Sequence, residues 1–316
     1  MSKRIDFEME FSFSVPSKVI LFGEHAVVYG FPAVASAVDL RMFLRCRLKK
    51  SNFSQIRITF NEDKFIFDPL AEINKDENST CQMYRTAFYD QFPKNHILNM
   101  DFTYNAPSES GLGSSAALCT LVAAAVQKIN NLDLNFDKLY EKAKILEGFY
   151  HSKSSGIDIA TVLYGSSVKI SDGKLERFCI PQIPILIVNS GKTRETKTAV
   201  EHVSKLMHDE NKIFKPILES LGAISHGFFL EQTSEYIKRY FPIAQNLLKS
   251  LDLSCIQIDE IVNIAVNNNL SAKLSGAGMG GVVLVSGDQL EQKVSLFNPY
   301  ETYLTTLGAE GFRIES

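Results

Sequence analysis

The stretch that most constrains this chain is Asn105–Gln127, NAPSESGLGSSAALCTLVAAAVQ, where a glycine-rich turn runs straight into an alanine-rich helical pattern. Gly111 and Gly113 allow positive φ and let backbone N–H groups approach a ligand closely. Ser114 and Ser115 stand where helix N-capping residues belong. Unpaired amides at the start of an Ala116–Gln127 helix, with the positive end of its dipole, favour an anion of the phosphate kind. The plainer alternative is a strand-to-helix turn with a good cap.

Gly111-Leu112-Gly113-Ser114-Ser115-Ala116 also fits the G-x-G-x-x-G/A fingerprint of dinucleotide-binding folds. The surroundings argue against NAD. Met100–Asn105 alternates like a half-buried strand, not like the apolar run of a central parallel strand. A second helical pattern, Phe136–Tyr150, follows where a strand ending in a ribose-binding acid is required. No Gly-Lys-Ser/Thr follows, so a Walker A loop fails too.

At 316 residues with 45% hydrophobic side chains, the chain buries a full core as one large domain or, as we expect, two lobes. A formal net charge of −3, with no block of five like charges, gives no nucleic-acid or polybasic membrane footprint. The basic residues of Arg41–Lys50 alternate with Leu, Phe and Cys and read as the wet face of a strand. Five scattered cysteines, none in a C-x-x-C pair, indicate neither a disulfide framework nor a zinc site and suit the cytosol. The N-terminus lacks an apolar h-region and no run nears 18 apolar residues, so neither a signal peptide nor a membrane span is expected.

Along the chain, Glu8–Val15 alternates, Pro16-Ser17-Lys18 interrupts, and Val19–Phe22 resumes as a short strand before Gly23-Glu24-His25. A turn and a strand reaching Arg47 follow, then one or two exposed strands over Ile56–Phe67, and helical spacing over Thr80–Phe92. Asp158, between Ile157 and Ile159, is expected to be partly buried and to need a partner; it is a candidate general base beside Lys18 or a metal, or else a cap aspartate. Thr161–Ile170 and Leu175–Ile180 read as a hairpin across Asp172-Gly173. Ile183–Val188 is an apolar strand that opens a second lobe. Thr196–Met207, Phe214–Phe229, Thr233–Leu251 and Ile256–Asn267 carry helical spacing, broken by Pro242 and the Leu251–Ser254 linker. Ala272–Ser286 reads as strand, glycine loop, strand. Gln289–Ser316 reads as a helical segment interrupted near Pro299, then an edge strand at Phe312–Ile314.

Three stretches in order, Pro16–Gly30 (PSKVILFGEHAVVYG), Pro107–Ala117 (PSESGLGSSAA) and Lys273–Gly281 (KLSGAGMGG), resemble the signature motifs of the GHMP kinases. Within that superfamily the first is similar to the mevalonate kinase family, since Ala26-Val27-Val28-Tyr29 stands where galactokinases carry Asp-Tyr. The resemblance implies an α+β, two-lobed GHMP kinase fold, with a ribosomal-protein-S5-like N-terminal lobe (residues 1–181, ATP-binding) and an α/β C-terminal lobe (residues 182–316). It implies ATP and Mg²⁺ between the lobes, with Pro107, Ser110, Gly111, Leu112, Gly113, Ser114, Ser115 and Ala116 around the triphosphate. Ser114 or Ser115 joins Glu147 on the metal, which fits a hard cation held by one or two protein oxygens plus phosphates and waters.

On the same resemblance, Asp158 takes the proton from the primary hydroxyl of mevalonate, and Lys18 sits near it and stabilises the transferring group. Glu24, His25, Thr196, Gly276 and Ala277 fall near the substrate. A homodimer, common among such kinases, is implied as well. Two other functions remain open from the sequence. One is a GHMP kinase acting on another small alcohol or on phosphomevalonate, for which Lys153, Lys192 and Arg194 supply cations. The other is a non-catalytic GHMP-like regulator, disfavoured by the presence of Lys18, Glu147 and Asp158.

Overall fold

The structure, a computed structural model, describes residues 7–71, 77–107, 110–150, 155–193 and 196–315. Among these described residues twelve strands form one sheet: β1 (Met9–Phe22), β2 (Ala33–Lys50), β3 (Gln55–Phe60), β4 (Asp63–Phe67), β5 (His96–Tyr104), β6 (Ser167–Ser171), β7 (Lys174–Phe178), β8 (Ile183–Asn189), β9 (Ser271–Ser275), β10 (Val282–Ser286), β11 (Glu301–Leu307) and β12 (Arg313–Glu315). The helices are α1 (Ser79–Phe88), α2 (Ser114–Ile129), α3 (Phe136–Glu147), α4 (Ile157–Tyr164), α5 (Thr196–Asp209), α6 (Asn211–Glu231), α7 (Ser234–Lys249), α8 (Ile256–Asn267) and α9 (Leu290–Lys293). No helix among the described residues is long and apolar enough to cross a membrane.

The fold is α+β and two-lobed, and β2 joins the lobes. One edge of β2 pairs antiparallel with β1, from Met9 opposite Leu48 to Phe22 opposite Val34. Its other edge takes β5 over Met42–Lys50, β6 over Ala33–Ser36, and meets β11 at Val38 opposite Leu307. From β11 the sheet continues through β8 and β10 to β9. Strand β1 likewise passes between two cores. Phe11, Phe13 and Val15 pack with α1 to α4, whereas Val19, Leu21 and Phe22 pack with the residues of β8 to β10 and α5 to α8. Lys18 lies at that crossing.

Helix α2 is apolar nearly all round and buried nearly all round, as such a helix must be. Its alanines let it approach β1, α3 and α4 closely. Arg41, read from the sequence as part of a wet face, is instead buried: its guanidinium donates to Ser14 Oγ (2.8 Å), Glu310 O (2.9 Å) and Gly311 O (2.7 Å), tying the C-terminal segment to β1.

Four other expectations are corrected. Pro16-Ser17-Lys18 does not interrupt β1; a register shift between Pro16 and Ser17 absorbs the missing donor and the strand continues. Thr161–Tyr164 is helical, not strand. Gly156, at φ 78°, opens α4, Thr161 Oγ donates back to Ile157 O (2.7 Å), and Gly165 closes it. A short run buried on all sides carries no period to tell the two apart. Pro242 does not break α7: the Lys238 carbonyl it leaves without a helical donor accepts from Ser271 Oγ (2.6 Å). Glu301–Leu307, which fell within the interrupted helical segment read for Gln289–Ser316, is instead strand β11 and pairs with β8 along its whole length. The Asp172-Gly173 hairpin forms as expected, with both residues at positive φ.

Candidate active site

The three glycine-containing motifs meet. Beyond β1 the chain turns through Gly23-Glu24-His25 into a 3-10 turn at Ala26–Tyr29. Ser275, at the end of β9, accepts from the Ile20 amide (3.1 Å) and donates to the Ile20 carbonyl (2.9 Å). His25 Nε2–H donates to Ala277 O (2.8 Å). The glycine loop of the second motif joins the same strand, because the Lys18 amide donates to Leu112 O (2.9 Å).

Gly113, at φ 81°, precedes α2, and a Cβ there would stand 2.8 Å from Lys18 Cγ. Only glycine allows both the turn and this contact. Ser114 and Ser115 are therefore corrected from capping positions to the first turn of α2, with Gly113 as the residue preceding the helix and no side-chain cap. Ser110, nearly buried, donates to Pro107 O (2.8 Å) and braces the loop from within.

A cavity of about 240 Å³ opens beside this junction, walled by Lys18, Glu24, His25, Glu147, Asp158, Thr196, Gly276 and Ala277 on its polar parts and by Ile20, Val27, Val28, Ala33, Ile157 and Val200 on its apolar parts. All the sequence-derived substrate residues are thus brought together, with Glu147 among them. Ser114 and Ser115 lie outside that wall, in the two positions that follow Gly113. Asp158 occupies the first turn of α4, and its Oδ2 is 3.0 Å from Lys18 Nζ; the lysine side chain is 5% exposed and the aspartate 29%. Glu147, at the end of α3, is buried. Lys153 and Arg194 lie outside the described residues, and Lys192 is exposed, its carbonyl accepting from the Gly281 amide (2.9 Å).

Lys273 escaped the sequence reading. It is fully buried on β9 and pairs with Glu24 Oε1, while its Nζ also donates to Leu274 O (2.6 Å). Burial pushes the Glu24 carboxyl above and the Lys273 ammonium below their ordinary ranges, and the attraction between them opposes both shifts. Burial also lowers His25, against its hydrogen bond to Ala277. The signal for Lys273 was a lysine between Ala272 and Leu274 in a strand otherwise apolar, since a cation there needs an acid.

Among the described residues no three His, Cys, Asp or Glu gather as a self-sufficient metal site. The oxygen donors, one buried carboxylate at Glu147 in the cavity wall and the two serines that open α2, are of the kind that fits magnesium, which takes few protein ligands and completes its shell with phosphates and water.

Residues 80–166 match the GHMP kinases N terminal domain family. With its fold and this junction of motifs, the chain is a GHMP kinase. It is 30% identical to the mevalonate kinase of Pyrococcus abyssi (strain GE5 / Orsay), over 96% of this chain and 97% of that one. The crystal structure of the Methanococcus jannaschii mevalonate kinase superposes with a TM-score of 0.81 at 26% identity, covering 96% of this chain and 99% of that chain. That of the L. major mevalonate kinase in complex with R-mevalonate shares the fold, with a TM-score of 0.82 at 20% identity over 98% of this chain and 100% of that chain. The chain belongs to the mevalonate kinase family.

Proposed function

We propose that this protein transfers the γ-phosphoryl group of ATP to the C5 hydroxyl of mevalonate, giving 5-phosphomevalonate and ADP. The observation that carries the reading is the Lys18–Asp158 pair on the wall of a half-apolar cavity, with Lys18 on the strand that anchors the glycine loop. The apolar wall suits a methyl-branched aliphatic chain, and the few polar groups orient its hydroxyls. Lys18 is the only lysine or arginine among the described residues lining the cavity, which favours an unphosphorylated alcohol over one already bearing a phosphate.

In this reading the amides of Gly111–Ala116 at the start of α2, flanked by Pro107 and Ser110, hold the phosphates. Asp158 accepts the C5 hydroxyl proton as the alkoxide oxygen bonds to the γ-phosphorus and the bond from that phosphorus to the β-phosphate bridging oxygen breaks. Lys18 neutralises charge on the transferring group, so that positioning and electrostatics do most of the work. Glu147 and Ser114 or Ser115 would hold Mg²⁺, which neutralises phosphate charge when bound. Glu24, His25, Thr196, Gly276 and Ala277 hold the substrate in register. We place the two lobes at residues 1–181 and 182–316, and the protein in the cytosol as a homodimer; its five cysteines are all free.

Incubation with ATP, Mg²⁺ and mevalonate, phosphomevalonate, galactose or homoserine in turn tests the reading. ADP release with mevalonate alone, and phosphorus NMR placing the phosphate on its C5 oxygen, is the expected result. Release only with phosphomevalonate or another alcohol moves the substrate and keeps the mechanism. Release with none favours a ligand-binding regulator.

A further inference from the structure

The mechanism gives no part to Lys273, the buried partner of Glu24 beside the cavity. Glu24 and Lys273 are 249 positions apart, one on the turn after β1 and the other on β9, and both are sealed from solvent. Lys273 Nζ is held on three sides: by Glu24 Oε1, by Leu274 O at 2.6 Å, and between the rings of Phe22 and Phe241 at 5.9 and 5.7 Å. The strand carrying it is held in turn, since the Leu274 amide donates to Gln245 Oε1 (2.8 Å). The ammonium has one place to sit, so the carboxylate it grips has one orientation.

Glu24 Oε2 is the unusual atom. It is buried, it belongs to a residue that lines the cavity, and it has no hydrogen-bond donor among the described residues. The amides of Glu24 and Gly276 lean on the carboxylate and favour its ionised form, yet neither closes a hydrogen bond to Oε2. A buried carboxylate oxygen without a donor is costly unless a ligand brings one.

We propose that Lys273 is a positioning residue for substrate recognition: by engaging Oε1 of Glu24 it presents Oε2 as a fixed acceptor for the tertiary C3 hydroxyl of mevalonate. This rests on mevalonate being the substrate. It also gives the site a polarity, because a sealed carboxylate accepts hydroxyl donors and turns away the carboxylate end of the substrate. Lys273 touches no reacting atom and acts only through Glu24.

The test compares mevalonate with 5-hydroxy-3-methylpentanoate, which lacks only the C3 hydroxyl, in the parent, Lys273→Met and Lys273→Arg. A hydrogen bond to a charged acceptor corresponds to about 10- to 100-fold in binding, so deleting the hydroxyl should raise KM by that factor in the parent. In Lys273→Met the penalty should shrink to about 3-fold or less, because the unanchored carboxylate no longer holds Oε2 at one angle, with the KM for ATP unchanged. Lys273→Arg should restore the penalty. A merely structural lysine would move both substrates together and leave their KM ratio alone. If Lys273→Met does not fold, Lys273→Gln, whose amide still donates to a carbonyl but carries no charge, supplies the same comparison. An equal KM ratio in parent and variant, or no penalty in the parent, overturns the role of Lys273. Failure of the parent to turn over mevalonate at all overturns instead the substrate reading beneath it.

Discussion

Two lysine–carboxylate pairs flank one cavity and differ in how much water reaches them. Lys18 and Asp158 meet at 3.0 Å with the aspartate 29% exposed, whereas the side chains of Lys273 and Glu24 are 0% and 1% exposed. The first lysine sits within β1, and the carboxylate of the second pair lies on the turn that ends the same strand. An aspartate open to the cavity can meet a hydroxyl and pass a proton on. A carboxylate sealed at its far end cannot exchange freely, but it holds an angle. On the proposed reading, burial rather than residue type divides chemistry from positioning.

If the division is right, the two pairs should fail in different ways. Asp158→Asn keeps shape and volume and removes the base, so kcat should fall by about 10²- to 10⁴-fold while ATP binding stays at the parent value. A variant with parental kcat would remove Asp158 from the mechanism.

Lys273→Met should do the reverse to stability: stranding Glu24 in the interior should cost about 3–5 kcal/mol, read by urea unfolding, because the surviving charge has no compensation. A loss as small as that of a surface pair, below about 1 kcal/mol, would mean that water reaches Glu24 and would erase the contrast.

Lys18→Met tests the open pair from its other side. Losing a contact to developing charge should lower kcat by about 10²- to 10³-fold. Its stability cost should be smaller than that of Lys273→Met, because Asp158 can be solvated where Glu24 cannot. Equal destabilisation by the two lysine variants would break the comparison.

The smallest effect concerns His25, beside Glu24. Burial holds its folded-state pKa below the ordinary histidine value of about 6.5, so well above that pH it is neutral in both folded and unfolded states and costs nothing. As pH falls below that value the unfolded chain takes up the proton first, and stability should decline by up to about 1.4 kcal/mol per pH unit until the folded-state pKa is passed. His25→Gln should flatten that part of the urea-unfolding profile. A slope identical to the parent's would assign the decline to other groups.

The glycine turns were legible because they are local. Two glycines before a run of alanines, and a glycine loop between apolar strands, state their backbone conformation in adjacent letters, and Asp172-Gly173 does the same for a hairpin. The four long helical periods between Thr196 and Asn267 were readable for the same reason. Gly113 adds a limit: it was read as a phosphate-loop glycine, but its contact with Lys18 emerged only when β1 and α2 were side by side.

What the sequence by itself determined about this protein is therefore its repertoire: the glycine turns, the helical faces, and a set of motifs whose order carries the family resemblance. Only the tertiary structure decided which residues share a wall. It made α4 a helix because its surroundings bury every face, β11 a strand because β8 offers a full-length partner, and Arg41 an interior tie because the C-terminal segment returns to β1. It also paired Lys18 with Asp158 and Lys273 with Glu24. The physical reason is that φ, period and capping are properties of neighbours in sequence, whereas burial and charge pairing depend on neighbours in space.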